Sequence, residues 1–171
     1  MPRKLLKVLL LPDAHHPYHD RRAWACALSV IRGWRPDVFV CLGDFGDCNA
    51  ISTHRKDPKR VLPFELELEG IRAGIADLDT ALREAGCRRK HMVQGNHDTR
   101  IDRYVADNAP HLASLVQSWT DAYGLGKSWQ ITPYEDSLQI GHLRITHGWR
   151  HGVNAARQML LAAIGAPGAP Q

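Results

Sequence analysis

The residues best suited to chemistry stand in four short polar clusters, each of which follows an apolar run. The clusters are Asp13-Ala14-His15, Gly43-Asp44-Phe45-Gly46-Asp47, Gly95-Asn96-His97-Asp98 and Thr146-His147-Gly148. A turn after a strand needs only one Gly, Asn or Asp to accept unusual backbone angles. The additional carboxylates, amide and imidazoles therefore indicate a shared site and not merely a set of turns.

The donor atoms in these clusters are carboxylate and amide oxygens and imidazole nitrogens. Such donors suit Mn²⁺, Fe or Zn²⁺ in a catalytic site better than a structural zinc ion. A carboxylate has two oxygens and can bridge two ions held roughly 3.5–4 Å apart, as two-metal phosphoryl-transfer sites require. Asp44 ends the middle apolar run and is followed by the flexible Gly46, so we predict that Asp44 is the bridge.

The elements that must position these clusters alternate between strand and helix. Apolar runs predict strands over 4–12, 36–44 and 89–95, and apolar residues at helical spacing predict helices over 20–34 and 63–86. This order is typical of right-handed βαβ units with a parallel sheet. Because the carboxyl ends of parallel strands line one edge of the sheet, we expect the clusters to converge there.

The second half of the chain predicts less regular structure. Residues 97–124 are expected to be helical and irregular, with a break at Pro110. Segments 129–136 and 137–148 predict two neighbouring antiparallel strands, followed by a helix over 153–164. We expect one domain over residues 1–164 and a flexible tail over 165–171, where Gly, Ala and Pro repeat.

Composition places the chain among soluble globular proteins. It has 171 residues, of which 44% are hydrophobic and 23% are charged. The net charge of +4 suits a phosphate-bearing partner, but the basic residues are dispersed, which is weak support for nucleic-acid binding. The four cysteines form no C-x-x-C pair, so we expect a reducing cytoplasm. No apolar stretch is long enough to span a membrane.

The order of the clusters resembles that of a known enzyme family. D-x-H, G-D-x-x-D, G-N-H-D and a later H-G are similar to the motifs of the calcineurin-like metallophosphoesterases. DAHHPYHD near the start and ITHGWRHG near the end further resemble a phage and prophage-type branch of that family. The resemblance runs from about Lys4 to Gly152 and implies an α/β fold, with a β-sandwich flanked by helices.

The resemblance also implies the metal ligands. Asp13 and His15 would bind a first divalent ion, Asp44 would bridge, and Asn96 and His147 would bind a second ion. The ions expected are Mn, Fe, Zn or Ni, with Mn as the first choice. A metal-bound hydroxide would then attack the phosphorus of a phosphate mono- or diester.

Two further residues of the third cluster have implied catalytic roles. His97 would protonate the leaving oxygen or stabilise the phosphoryl charge. Asp98 would orient the His97 ring and favour its protonated form. Asp47, by contrast, is expected to support the loop near the metals and not to bind them.

The sequence departs from the family pattern at its C-terminal end. The family has a further G-H-x-H motif after the helix that follows H-G, and this sequence has none. We therefore expect the second sheet of the sandwich to be incomplete at the C-terminus. His151, four residues after His147, is a candidate substitute ligand. A second copy of the chain is another option, because a missing strand invites pairing.

Basic residues near the clusters are candidates for binding the substrate. His54 and Arg55 lie in a basic loop, and Arg100 follows the third cluster, so each is a candidate contact for a substrate phosphate. The expected partner is a phosphate ester, which a nucleotide or a nucleic acid would supply. Two alternatives remain open: a nuclease acting on DNA or RNA, and a truncated, inactive relative that serves as a binding module.

Overall fold

A parallel sheet of four strands forms the middle of the molecule. The computed structural model describes residues 5–59, 61–148 and 154–157. Within them the strands are neighbours in the order β1 (Val8–Leu11), β2 (Val38–Cys41), β3 (Arg89–Val93) and β4 (Trp129–Thr132). All three pairings are parallel. The predicted α/β fold is confirmed.

Two long helices cover one face of this sheet. Helix α1 (Arg21–Trp34) is capped at its N-terminus by Asp20, whose carboxylate accepts hydrogen bonds from the backbone N–H groups of Arg22 and Ala23. Helix α2 (Phe64–Glu84) packs beside it, and both bury apolar faces in a core shared with the sheet. No helix in the described part of the chain combines the length and the apolar character needed to cross a membrane.

A second, smaller sheet covers the opposite face. Strands β5 (Leu138–Ile140) and β6 (Leu143–Ile145) pair antiparallel with each other. Their buried Ile140 and Ile145 pack against Val38, Val40 and Val93 of the parallel sheet. The two sheets therefore face each other as a β-sandwich, and β2 lies fully buried between the two layers that cover the sheet.

The pairing predicted for residues 129–148 was wrong. β4 does not pair with the strand that follows it but joins the parallel sheet beside β3, while segment 137–148 supplies both β5 and β6. Pro133 follows β4 and has no N–H group to continue the sheet. Gly141, at φ 61°, allows the tight turn between β5 and β6.

The helical segment after β3 is divided into three parts. Helix α3 (Arg100–Asn108) is followed by a 3₁₀ segment (Pro110–Leu115) and helix α4 (Trp119–Tyr123). The predicted break at Pro110 falls at the start of the 3₁₀ segment. Residues 155–157 are helical. Of the helix predicted over 153–164, residue 153 and residues 158–164 lie outside the described residues. His151 and the tail over 165–171 lie outside them as well.

Candidate metal centre

The loops that follow the strands meet at the carboxyl edge of the parallel sheet. The loop after β1 pairs with the loop after β2, because the N–H groups of Asp13 and His15 donate to the carbonyls of Gly43 and Asp44 at 3.3 and 2.9 Å. These hydrogen bonds extend the contact between β1 and β2 beyond the strands. They hold the first two polar clusters side by side, as the sequence predicts.

Three non-glycine residues of the first two polar clusters have left-handed backbone angles. The φ angles are 46° at Asp13, 51° at His15 and 49° at Asp44. Residues with a Cβ atom rarely adopt such angles, and each instance costs on the order of 1–3 kcal/mol. Backbone strain of this kind tends to collect at functional sites, so these angles support a functional role for the edge.

Asp13, Asp44 and His147 form the first group of potential metal ligands. One donor atom from each lies within 4.8 Å of the others. His147 Nδ1 is 2.6 Å from the Leu42 carbonyl oxygen, which can only accept, so Nδ1 carries the proton. Nε2 faces Asp44 Oδ2 at 3.5 Å and Asn96 Oδ1 at 3.1 Å. Electron-pair donors that face one another in this way fit a cation between them.

His15, Asp47 and His97 form a second group with the same spacing. Asp47 Oδ2 lies 3.3 Å from His15 Nδ1, and Asp47 Oδ1 lies 3.7 Å from His97 Nδ1. The rings of His15 and His97 meet edge to face, with centroids 4.6 Å apart. The structure thus brings Asp47 into the site, beyond the loop-supporting role expected from the sequence.

The charges of this second group are coupled. Burial opposes ionisation of Asp47, but its close contacts with the imidazoles of His15 and His97 outweigh burial and lower the pKa of its carboxyl group. The pKa of His15 is raised, first by its close contact with the Asp47 carboxylate and further by the charges of Asp44 and Asp13. The carboxylates therefore create a negative potential at His15, which would also attract a metal cation.

Asp98 connects the loops after β2 and β3 through buried hydrogen bonds. Its buried carboxylate accepts hydrogen bonds from the backbone N–H groups of Asp44 at 2.9 Å, Gly95 at 2.8 Å and Gly46 at 3.4 Å, and from Tyr123 Oη at 3.0 Å. Burial raises the pKa of Asp98 to about 6. Sequence reasoning missed Tyr123, because its position in α4 gives no local sign of this contact.

Asp98 makes its described hydrogen bonds with groups other than the His97 ring. Its oxygens face backbone donors and Tyr123, and among the described residues no hydrogen bond joins them to the His97 ring. Asp47 contacts that ring instead, through its carboxylate and through its carbonyl oxygen, 3.1 Å from His97 Nδ1. A fully buried carboxylate requires several donors, and the loops after β2 and β3 supply them together with Tyr123.

Arg100, the first residue of α3, contacts the His97 ring and orients it. Its Nη1 donates to the Asp47 carbonyl oxygen at 2.7 Å, and its Nη2 lies 3.1 Å from His97 Nε2. A guanidinium group can only donate, so His97 Nε2 accepts, and the proton is on Nδ1, which donates to Asp47. The structure therefore places the candidate substrate contact Arg100 directly against the candidate acid His97.

The other two candidate phosphate contacts lie farther along the loop after β2. His54 is exposed and lines a cleft that also includes Asn96 and Arg100. Arg55, the next residue in the sequence, is also exposed. Of the three basic candidates, Arg100 and His54 thus border the same cleft at the edge of the site.

Glycines allow the loops of the site to approach one another. A Cβ atom at Gly95 would overlap the carboxylate and the backbone nitrogen of Asp44. A Cβ atom at Gly43, where φ is 91°, would lie 2.9 Å from His147 Nδ1 and 2.6 Å from the Gly95 nitrogen. The position of Asp44 therefore depends on the missing side chain of Gly95.

Comparison with known proteins agrees with this geometry. The sequence pattern of the family described as calcineurin-like phosphoesterase matches residues 6–160. Gene 54 protein of Mycobacterium phage L5 is 24% identical over 159 residues, which cover 89% of this chain. The chain spans 60% of the length of that relative. All four polar clusters lie within the residues that the family pattern matches.

Proposed function

Because the chain belongs to the calcineurin-like phosphoesterase family, we propose that it is a metal-dependent hydrolase of phosphate mono- or diesters with a dinuclear centre. The observation that supports this most is the convergence of two groups of potential metal ligands at one sheet edge. The groups share no residue, and Asp44 and Asp13 of one affect the pKa of His15 in the other. The proposed centre draws on both groups, with Asp13, Asp44 and His147 from the first and His15 from the second.

In this proposal Asp13 and His15 hold one ion, Asn96 and His147 hold the other, and Asp44 bridges. Asp44 suits that role because its two oxygens face different residues. Oδ1 accepts a hydrogen bond from the backbone N–H of His97 at 2.8 Å, and Oδ2 faces the His147 ring. Divalent ions bound there would stabilise charge on the phosphoryl oxygens and make a water molecule acidic at neutral pH. We propose Mn²⁺ first, although oxygen and nitrogen donors also accept Fe, Zn²⁺ and Ni²⁺.

The proposed role of His97 is to donate a proton to the leaving oxygen. Its ring is held from both sides, by Asp47 at Nδ1 and by Arg100 at Nε2. To deliver a proton from Nε2, the ring would exchange its contact with Arg100 for one with the leaving oxygen, while Nδ1 keeps its hydrogen bond to Asp47. Arg100, next to Nε2, is placed to stabilise negative charge on the phosphoryl group.

Hydrolysis of bis(4-nitrophenyl) phosphate with added Mn²⁺ tests this function. We expect turnover that requires Mn²⁺ and falls by at least about tenfold in Asn96→Ala, because a metal ligand is lost. Gln130→Ala, which removes an exposed amide on β4, is the matched control and should keep the wild-type rate. Equal rates in wild type and Asn96→Ala would contradict the proposal.

A nuclease reaction is the second candidate. The exposed residues His54, Arg55 and Lys59 give the loop after β2 a basic surface near the site. Cleavage of a single-stranded oligonucleotide, weakened by Arg55→Ala at constant salt, would favour it. Folded protein that binds Mn²⁺ but hydrolyses neither substrate would instead favour the third alternative, a binding module.

A further inference from the structure

A cleft of about 130 Å³ opens directly beside the metal centre. It lies between α3 and the segment that begins at Ile51, and we call it the α3 cleft. Asn96, a proposed metal ligand, is part of its wall. Its other walls include Ile51, His54, Arg100, Arg103 and Tyr104.

The sequence of α3 explains why this wall is continuous. Residues three and four apart lie on the same face of a helix. Arg100, Tyr104 and Asn108 therefore form one row along the cleft, and Arg103 and Asp107 form the neighbouring row. From Arg100 to Asn108 the helix rises by about 12 Å. The wall thus leads away from the metals over roughly the length of a nucleoside.

Arg100 connects the cleft with the proposed chemistry. It lines the cleft, and its Nη2 lies 3.1 Å from His97 Nε2. The cleft therefore opens on the side of the centre where His97 would protonate the leaving oxygen. A group attached to that oxygen would extend into the cleft.

The side chains of the cleft suit a planar, polar group. Tyr104 is 47% exposed, which leaves its ring accessible for stacking. The Arg103 guanidinium lies 5.7 Å from the centre of the Tyr134 ring, which anchors it at the rim of the site. Asp107 and Asn108 add groups that can hydrogen-bond to the edges of a base.

We propose that the α3 cleft binds a nucleoside attached to the leaving oxygen, so that the substrate is a nucleotide whose bond between phosphorus and the nucleoside oxygen is broken. Tyr104 would stack on the base, and Arg103 would hold the sugar-phosphate side, which makes both specificity-determining residues. This inference rests on the proposed phosphoesterase function. Inorganic phosphate would make none of these contacts, so the difference in affinity between a nucleotide and phosphate measures the contribution of the cleft alone.

The test compares the binding of thymidine 5′-monophosphate and inorganic phosphate to the Mn²⁺-loaded protein by calorimetry. We expect the nucleotide to bind about tenfold more tightly than phosphate, and Tyr104→Ala to remove that advantage without changing phosphate binding. Arg103→Ala should also weaken the binding of the nucleotide and leave the binding of phosphate unchanged. The control His111→Ala removes an exposed ring just beyond α3 and should change neither affinity.

The outcomes separate the cleft from the metal centre. Equal affinities for the two ligands in wild type, or equal losses for both in Tyr104→Ala, would overturn the nucleoside subsite and leave the phosphoesterase proposal intact. Failure of both ligands to bind Mn²⁺-loaded, folded protein would contradict the phosphoesterase proposal, and the subsite with it.

Discussion

At the scale of single residues, Asp47 is the finding that most changes the expected site. Its carboxylate lies between the imidazoles of His15 and His97, and its carbonyl oxygen receives hydrogen bonds from Arg100 and the His97 ring. The motif G-D-x-x-D places this carboxylate three residues after Asp44, at the same edge of the sheet. Asp47 therefore positions the groups that would act on the substrate.

Asp47→Asn should lower the rate of phosphodiester hydrolysis by about 10- to 100-fold, because the His97 ring loses the carboxylate that orients it. Steady-state kinetics across pH measure this effect, and the Mn²⁺ requirement should persist. The control Asp57→Asn changes an exposed carboxylate in the loop after β2. A wild-type rate and pH profile in Asp47→Asn would show that Asp47 does not position His97.

At the scale of elements, α4 supports the site although it lies at no strand end. Tyr123 is fully buried, and its hydroxyl donates to Asp98, which in turn holds the loops after β2 and β3. Cys48 Sγ lies 3.4 Å from the same hydroxyl. Helix α4 thus reaches the metal centre through one buried hydrogen-bonded chain.

Tyr123→Phe should lower the free energy of unfolding by about 1–3 kcal/mol, since the buried Asp98 carboxylate loses a donor. Urea denaturation of the metal-free protein measures the change. Tyr104→Phe removes a hydroxyl from an exposed ring and should shift stability by less than about 0.5 kcal/mol. Equal stabilities of wild type and Tyr123→Phe would argue against this support.

The approach of the loops after β2 and β3 depends on Gly95. Gly95→Ala should destabilise the protein by about 1–3 kcal/mol, because the added methyl group overlaps Asp44 and must displace it. Gly33→Ala is the matched control: a Cβ atom there meets nothing within 4 Å and lies inside α1, where alanine should be neutral or stabilising. Thermal unfolding of both variants measures the difference, and unchanged stability of Gly95→Ala would contradict the close approach.

At the scale of the whole molecule, local patterns predicted the elements better than their pairing. The βαβ order of β1, β2 and β3 follows from apolar runs and helical spacing, and the polar clusters after the strands follow from the topology of parallel sheets. The parallel addition of β4 could not be predicted, because strand partners are chosen by tertiary packing and by the break at Pro133.

The contacts around the metal centre show the same division. The residue types of Asp13, Asp44, Asn96 and His147 follow from the motifs, and the structure brings them to one edge. The direction of the Asp98 carboxylate could not be inferred from its place beside His97, because it depends on backbone donors from other loops and on Tyr123. The described contacts of the His97 ring are instead with Asp47 and Arg100, which lie outside its immediate sequence neighbours.

The central claim is that the carboxyl edge of this sheet holds two divalent ions bridged by Asp44. Electron paramagnetic resonance during Mn²⁺ titration tests it most directly, because paired ions show exchange coupling that separate ions lack. We predict that wild type binds two Mn²⁺ per chain and gives a coupled spectrum. The control His142→Ala, which changes an exposed side chain, should give the same spectrum, and His147→Ala should lose the coupling. No bound Mn²⁺, or bound ions without coupling in wild type, would contradict the claim.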